Sequence, residues 1–262
     1  MKHLSSKQNP QLKYVRKLMH KAAFRASEDR YVIEGLRSVS DSNPDTLRAL
    51  FLRTDAADRA GRIIARTDCP IYVVTPEAFD AVADTANSQG ILAVAQRPSH
   101  TAERLLRESF LVLTDGVADP GNMGTLLRTA EAAGAGGVLC GPGSVDVTNP
   151  KTVRAAMGSV SRMPVVRFTD GVAMIRALKE AGHVLAAADL TDSVDYRALP
   201  PVGRVTLITG SEANGISALF RSAADYRLRI PMAGGVESLN AAVATGILLY
   251  TLRERLTTDV GE

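Results

Sequence analysis

From residue 110 onwards, short apolar runs recur at 110–114, 138–140, 165–168, 184–188, 205–209 and 228–230. Each is bounded by glycine or polar turns and is too short for a buried helix. Between them, 124–133, 153–159, 172–181 and 217–223 carry helical patterns, and 239–256 reads as a long apolar helix. Strands that are apolar throughout and alternate with helices form a parallel sheet covered on both faces, because neither face can be left to water. This pattern fixes the fold class as α/β. Aromatics are 5% of the chain and Trp is absent, so the core must come from Ala, Val, Leu and Ile.

The first hundred residues read differently. Segment 10–26 has apolar residues at Leu12, Val15, Leu18, Met19 and Ala22, the spacing of one helix with bases on its other face. Strands are expected at 30–33, 50–53, 71–74 and 91–96, with a helix from Gly35 and another starting at Thr75-Pro76-Glu77. The polar stretch Arg97-Pro98-Ser99-His100 is the expected boundary, giving a smaller domain over 1–100 and a larger one over 101–262.

Net charge is only +3, but residues 1–37 hold nine bases against three acids. A local basic block suits a phosphate backbone, and equally suits a solvated helix face. Cys69 and Cys140 stand far apart, and the four histidines are scattered, so neither a disulfide framework nor a metal site is expected. No apolar run reaches the roughly 20 residues needed to span a bilayer, and the basic N-terminus has no apolar signal-peptide centre. A soluble, cytoplasmic protein is the expectation.

Ligands of open α/β sheets bind beyond the carboxyl ends of the strands. Three such segments hold polar residues: Asp119 to Thr129, Leu207 to Ser217, and Ile230 to Asn240. In the first, Asn122 is placed to cap the following helix and Arg128 lies one turn beyond Gly124. The second is a glycine-bounded turn with one acid, Glu212; in the third, Ser238 or Asn240 would cap the last helix. No G-x-G-x-x-G opens a helix after a strand, which weighs against a nucleotide-dependent dehydrogenase. There is also no phosphate-gripping P-loop, and no G-x-S-x-G or Cys/His pair for acyl transfer. The residues alone lead to an α/β enzyme with a loop-built pocket and a basic arm.

Three motifs in order resemble the SpoU family of the SPOUT methyltransferases: Asn122-x-Gly124-x-x-x-Arg128, Gly210-x-Glu212-x-x-Gly215, and Ile230-Pro231-Met232 through Ser238-Leu239-Asn240. Asn149-Pro150-Lys151 and the run from Arg154 to Ser159 also match in spacing, and residues 10–97, with Ile33-Glu34-Gly35, resemble the family's ribosomal-protein-like RNA-binding domain. The resemblance implies a parallel sheet with a deep trefoil knot, a homodimer, and S-adenosylmethionine as methyl donor to a ribose 2′-hydroxyl of RNA. It implies catalytic roles for Asn122, Arg128, Glu212, Ser238 and Asn240, and donor contacts at Thr209, Gly210, Ile230, Met232 and Leu239. The accessory domain favours 23S rRNA as substrate over tRNA. A catalytically silent RNA-binding or assembly protein is the alternative, against which the full set of polar motif residues speaks.

The resemblance gives Arg128 the reacting hydroxyl. Methyl transfer needs two atoms aligned near contact, so positioning should dominate. Taking a proton from a guanidinium at pH 7 costs about 7 kcal/mol, at roughly 1.4 per pKa unit. Either the pocket offsets that cost, or the arginine orients the nucleophile while a phosphate oxygen or water accepts the proton.

Overall fold

The computed structural model describes residues 1–85, 87–235 and 238–257, in a chain that divides into two units. One holds Met1–Pro98 with Asp146–Arg162; the other holds Ser99–Val145 with Met163–Glu262.

The first unit runs β1 (Lys2–Leu4), α1 (Pro10–His20), α2 (Ala22–Glu28), β2 (Arg30–Glu34), α3 (Leu36–Ser40), β3 (Leu47–Arg53), α4 (Gly61–Ile64), β4 (Ile71–Val74), α5 (Pro76–Asp80) and β5 (Ile91–Gln96). The strands form a mixed sheet in the order β1-β4-β3-β5-β2, with β5 antiparallel to both neighbours. Leu12, Val15, Leu18 and Met19 of α1 pack on Phe51, Val74, Phe79, Leu92 and Val94, the core on one face of that sheet.

The helix expected over 10–26 is two. Lys21 leaves helical geometry (φ −121°, ψ 104°), ending α1 and starting α2. The break lets Arg25 fold back: its Nη1 donates to the carbonyls of Leu18 (3.0 Å) and Met19 (3.4 Å), which a helix end leaves without partners. Its Nε and Nη2 donate to Asp146 Oδ2 at 3.1 and 3.0 Å. Arg25, one of the nine bases read as a possible phosphate grip, is therefore 5% exposed and committed to the fold.

The second unit runs α6 (Ala102–Leu105), β6 (Phe110–Asp115), α7 (Pro120–Ala133) and β7 (Gly137–Cys140). The chain then contributes α8 (Pro150–Ala156) to the first unit and returns for β8 (Val165–Arg167), α9 (Gly171–Glu180), β9 (Val184–Ala188), β10 (Val194–Asp195), β11 (Val205–Gly210), α10 (Ala218–Ala223), β12 (Tyr226–Arg229) and α11 (Ala241–Arg255). The seven strands are all parallel, in the order β10-β12-β9-β11-β6-β7-β8. Leu111, Leu113, Leu185, Ala187 and Ile208 pack with Met174, Leu178 and Phe220 of α9 and α10. Alternate residues of β11 face the other way, where the Thr209 hydroxyl is 2.8 Å from that of Thr245 on α11. Among the described residues no helix is long and apolar enough to cross a membrane.

Two expected helices are displaced. The pattern at 153–159 begins earlier, at Pro150 behind an Asn149 cap, and stops where Met157 and Gly158 take left-handed backbone (φ 48° and 86°). A side chain at Gly158 would meet the Asp41 backbone at 3.0 Å, so the turn needs glycine. The last helix starts at Ala241, not at Leu239.

Asp146 anchors the excursion. Burial alone would raise its pKa, but Thr148 and the Arg25 guanidinium outweigh that and hold it below the usual carboxylate range. An acid depressed in the folded state stabilises fully above its unfolded pKa, near pH 4, and loses that contribution as pH falls. Asp146→Ala strands a buried guanidinium and should cost about 3 kcal/mol at pH 7. In urea titrations the gap between wild type and variant should narrow at pH 3; a gap independent of pH would refute this account.

Candidate active site

The register of β11 on β6 sets Gly210 beside Asp115, so the loops that follow both strands leave one edge of the sheet side by side. Each loop is built by short-range bonds. After β6, Asp119 caps α7 by accepting the Asn122 N–H at 2.7 Å, with Pro120 at the first helical position. The cap expected at Asn122 is thus Asp119, three residues earlier, which frees the Asn122 side chain.

After β11, the Ser211 and Gly215 backbones exchange hydrogen bonds at 3.1 and 2.9 Å, closing a tight turn with Glu212 near its tip. Gly215 takes φ 63°. The Ser217 N–H donates to Asp115 Oδ2 at 2.7 Å, tying the turn back to β6. Gly210 has no room for a side chain: a Cβ there would fall onto the Gly215 carbonyl and within 2.6 Å of the Ile216 nitrogen.

After β12, Asn240 caps α11, its Oδ1 accepting from Ala242 and Val243 at 3.0 and 3.2 Å. That use of the oxygen leaves Nδ2 to donate, and it does so to Asn122 Oδ1 at 3.0 Å. Asn122 Nδ2 in turn donates to Glu212 Oε1. The chain Asn240 to Asn122 to Glu212 is directional, each amide orientation following from the last, and it ends on a carboxylate that can only accept. Three loops far apart in sequence meet in this one chain.

Beside it lies a cavity of about 480 Å³, within the roughly 300–1,000 Å³ range of small-molecule sites. Thr209, Gly210, Ile230, Met232 and Leu239 all line it, as do Glu212, Ser238 and Asn240. Asn122 touches the site through its hydrogen bonds rather than the cavity wall. Arg128 stands apart. It is on the exposed side of α7 and has no hydrogen-bond or ion-pair partner among the described residues. Val236 and Glu237, inside the third loop, lie outside the described residues.

One stretch of cavity wall escaped the sequence reading: Ala188, Asp189, Leu190 and Thr191, at the carboxyl end of β9. The strand-end rule that found the other three loops applies there too. His183, at the opposite end of β9, takes no part; it is 4% exposed, burial lowers its pKa, and its Nδ1 is 3.0 Å from Thr206 Oγ1. Among the described residues no group of His, Cys, Asp or Glu side chains is placed to hold a metal ion.

Residues 109–250 match the SpoU rRNA methylase family and residues 9–93 match the MRM3-like substrate binding domain. The 23S rRNA (guanosine(2553)-2′-O)-methyltransferase RlmP of Bacillus subtilis is 34% identical over 255 residues, covering 97% of this chain and all of the relative. An AdoMet-bound rRNA methyltransferase from Sinorhizobium meliloti aligns over 98% of this chain and 99% of its own, with TM-score 0.83 and 33% identity. The SpoU methyltransferase AviRb of Streptomyces viridochromogenes, in complex with AdoMet, aligns over 95% and 98%, with TM-score 0.84 and 27% identity. The two matched regions, taken with three strand-end loops meeting at a single cavity, place the chain in the SpoU rRNA methylase family.

Proposed function

We propose that this chain methylates a ribose 2′-hydroxyl of 23S rRNA, with Asn122, Arg128, Glu212, Ser238 and Asn240 as its catalytic groups. It is an RNA ribose 2′-O-methyltransferase that uses S-adenosylmethionine. The observation that carries the site assignment is the Asn240–Asn122–Glu212 chain at the rim of the cavity.

The cavity suits the donor. Leu228, Ile230, Leu239 and Leu248 give apolar wall for an adenine, and Gly210 lets backbone approach closely. The bound donor supplies an electrophilic methyl group on a sulfonium. Thr209 serves as wall: its hydroxyl is engaged with Thr245, whose own hydroxyl donates to the Ala241 carbonyl at 2.7 Å. Glu212, fixed by Asn122, orients the ribose, and Arg128 holds the 2′-hydroxyl and adjacent phosphate. An exposed guanidinium without a partner among the described residues can bind RNA phosphate.

The first unit supplies the RNA grip. Lys13, Arg16, Lys17 and His20 are exposed along α1, opposite its buried stripe, with Lys21 following. A homodimer accords with α11, where Val243 and Tyr250 are 52% and 51% exposed and share a face with Ile247. That helix packs against α7, which carries Arg128. A trefoil knot accords with β11 lying between β6 and β9 while α11 packs across β11 and β9. The cytoplasm, where rRNA is modified, is the expected location.

Mass-spectrometric mapping of ribose methylation in RNA from cells with and without this chain tests the function. One 2′-O-methyl nucleotide of 23S rRNA should disappear with the gene. Loss confined to tRNA would overturn the substrate, and no change in any RNA would overturn the activity.

A further inference from the structure

The cavity wall at the end of β9 is pinned from behind by arginines. The Asp189 side chain is 7% exposed; its Oδ2 accepts from Arg221 Nε of α10 at 2.5 Å. Its Oδ1 accepts from the Thr191 N–H at 3.0 Å, and its own N–H donates to the Leu228 carbonyl at 3.1 Å. Two guanidinium groups from β12 hold the residues that follow. Arg227 Nη1 is 3.6 Å from Asp192 Oδ2, and Arg229 Nη1 donates to the Ser193 carbonyl. Asp192 takes left-handed backbone, φ 45°. Segment 189–193 is therefore a strap between β9 and β10, and its first three residues form cavity wall.

We propose that Arg221, acting through Asp189, is a positioning residue that sets affinity for the methyl donor. The inference rests on reading this cavity as the donor site. Leu190 lines the cavity and is 53% exposed, so few protein contacts hold this part of the wall. A wall so lightly packed keeps its shape through polar pins, and the ion pair of Arg221 with the buried Asp189 carboxylate is one of them. With the pin in place, the donor meets a formed surface; without it, binding must first order the strap, and that cost appears as lost affinity. Arg221 does not line the cavity, so its loss leaves the groups around the reacting atoms in place.

The test is calorimetric titration of the full-length protein with S-adenosylmethionine and, separately, S-adenosylhomocysteine. Arg221→Met and Asp189→Asn should each weaken both ligands about tenfold, and the double variant should bind no worse than the weaker single, because one interaction is lost in all three. Arg221→Lys should recover part of the loss. In Arg221→Met the KM for the donor should rise while kcat stays within about twofold. Asp189→Asn is isosteric and keeps the measurement available if Arg221→Met folds poorly. Wild-type affinity in both single variants, even with a lowered Tm, would overturn the proposal. Wild-type protein that binds neither ligand would instead strike down the donor-site reading on which the proposal depends.

Discussion

Arg128→Ala should lower ribose methylation about a hundredfold or more, which is ~2.7 kcal/mol of transition-state stabilisation. Donor affinity should stay at the wild-type value. The two expectations come from one placement: Arg128 is on the exposed side of α7, off the cavity wall, while the first turn of the same helix carries the Asn122 that links Asn240 to Glu212. Arg128→Lys should fall between, because an ammonium keeps the charge but loses the planar fork that grips a phosphate through two bonds. Single-turnover methylation with saturating donor and RNA separates these cases. A loss in Arg128→Ala below about tenfold would remove the guanidinium from the centre of the reaction.

Gly210→Ala should be the most damaging single methyl group that can be added at the site. The new Cβ would sit against the Gly215 carbonyl, and the Ile216 nitrogen is only 2.6 Å from it. These are backbone atoms held by the Ser211–Gly215 bonds, so no side chain can swing aside. The turn must open, which displaces Glu212 from Asn122 and deforms the cavity wall. Overpacking of about 2 kcal/mol or more corresponds to roughly 30-fold weaker donor binding. Gly203→Ala is the control: nothing lies within 4 Å of its added carbon and binding should not change. Donor titrations of the two variants check this, and equal affinities would show that the turn tolerates a side chain.

The parallel sheet was legible because both of its faces are buried, which leaves the strands apolar throughout; 184–188 matches the structure to the residue, as does 91–96 in the mixed sheet of the first unit. Two of the three loops that line the cavity, and the Asn122 loop beside it, were legible because each follows such a strand and carries polar residues at fixed spacing. What was hidden turned on long-range partners. Nothing near Lys21 signals a helix break, since the gain comes from Arg25 reaching Asp146, 121 residues away. Asp119 and Asn122 are both good caps, and the choice rests on Asn122 being needed by Glu212 and Asn240. The fourth loop carries Asp189, whose partner Arg221 is on a later helix. β1 and β10 are too short to show a period.

The excursion of Asp146–Arg162 into the first unit limits how this protein can be taken apart or recombined. A fragment ended at Pro98 would lack α8, which packs on β2, and would leave Arg25 without its carboxylate and Asp84 without Arg154. The region matched to a substrate binding domain is therefore not a cassette that gene fusion could move by a single cut. Exchanging it between relatives requires replacing two stretches of sequence together.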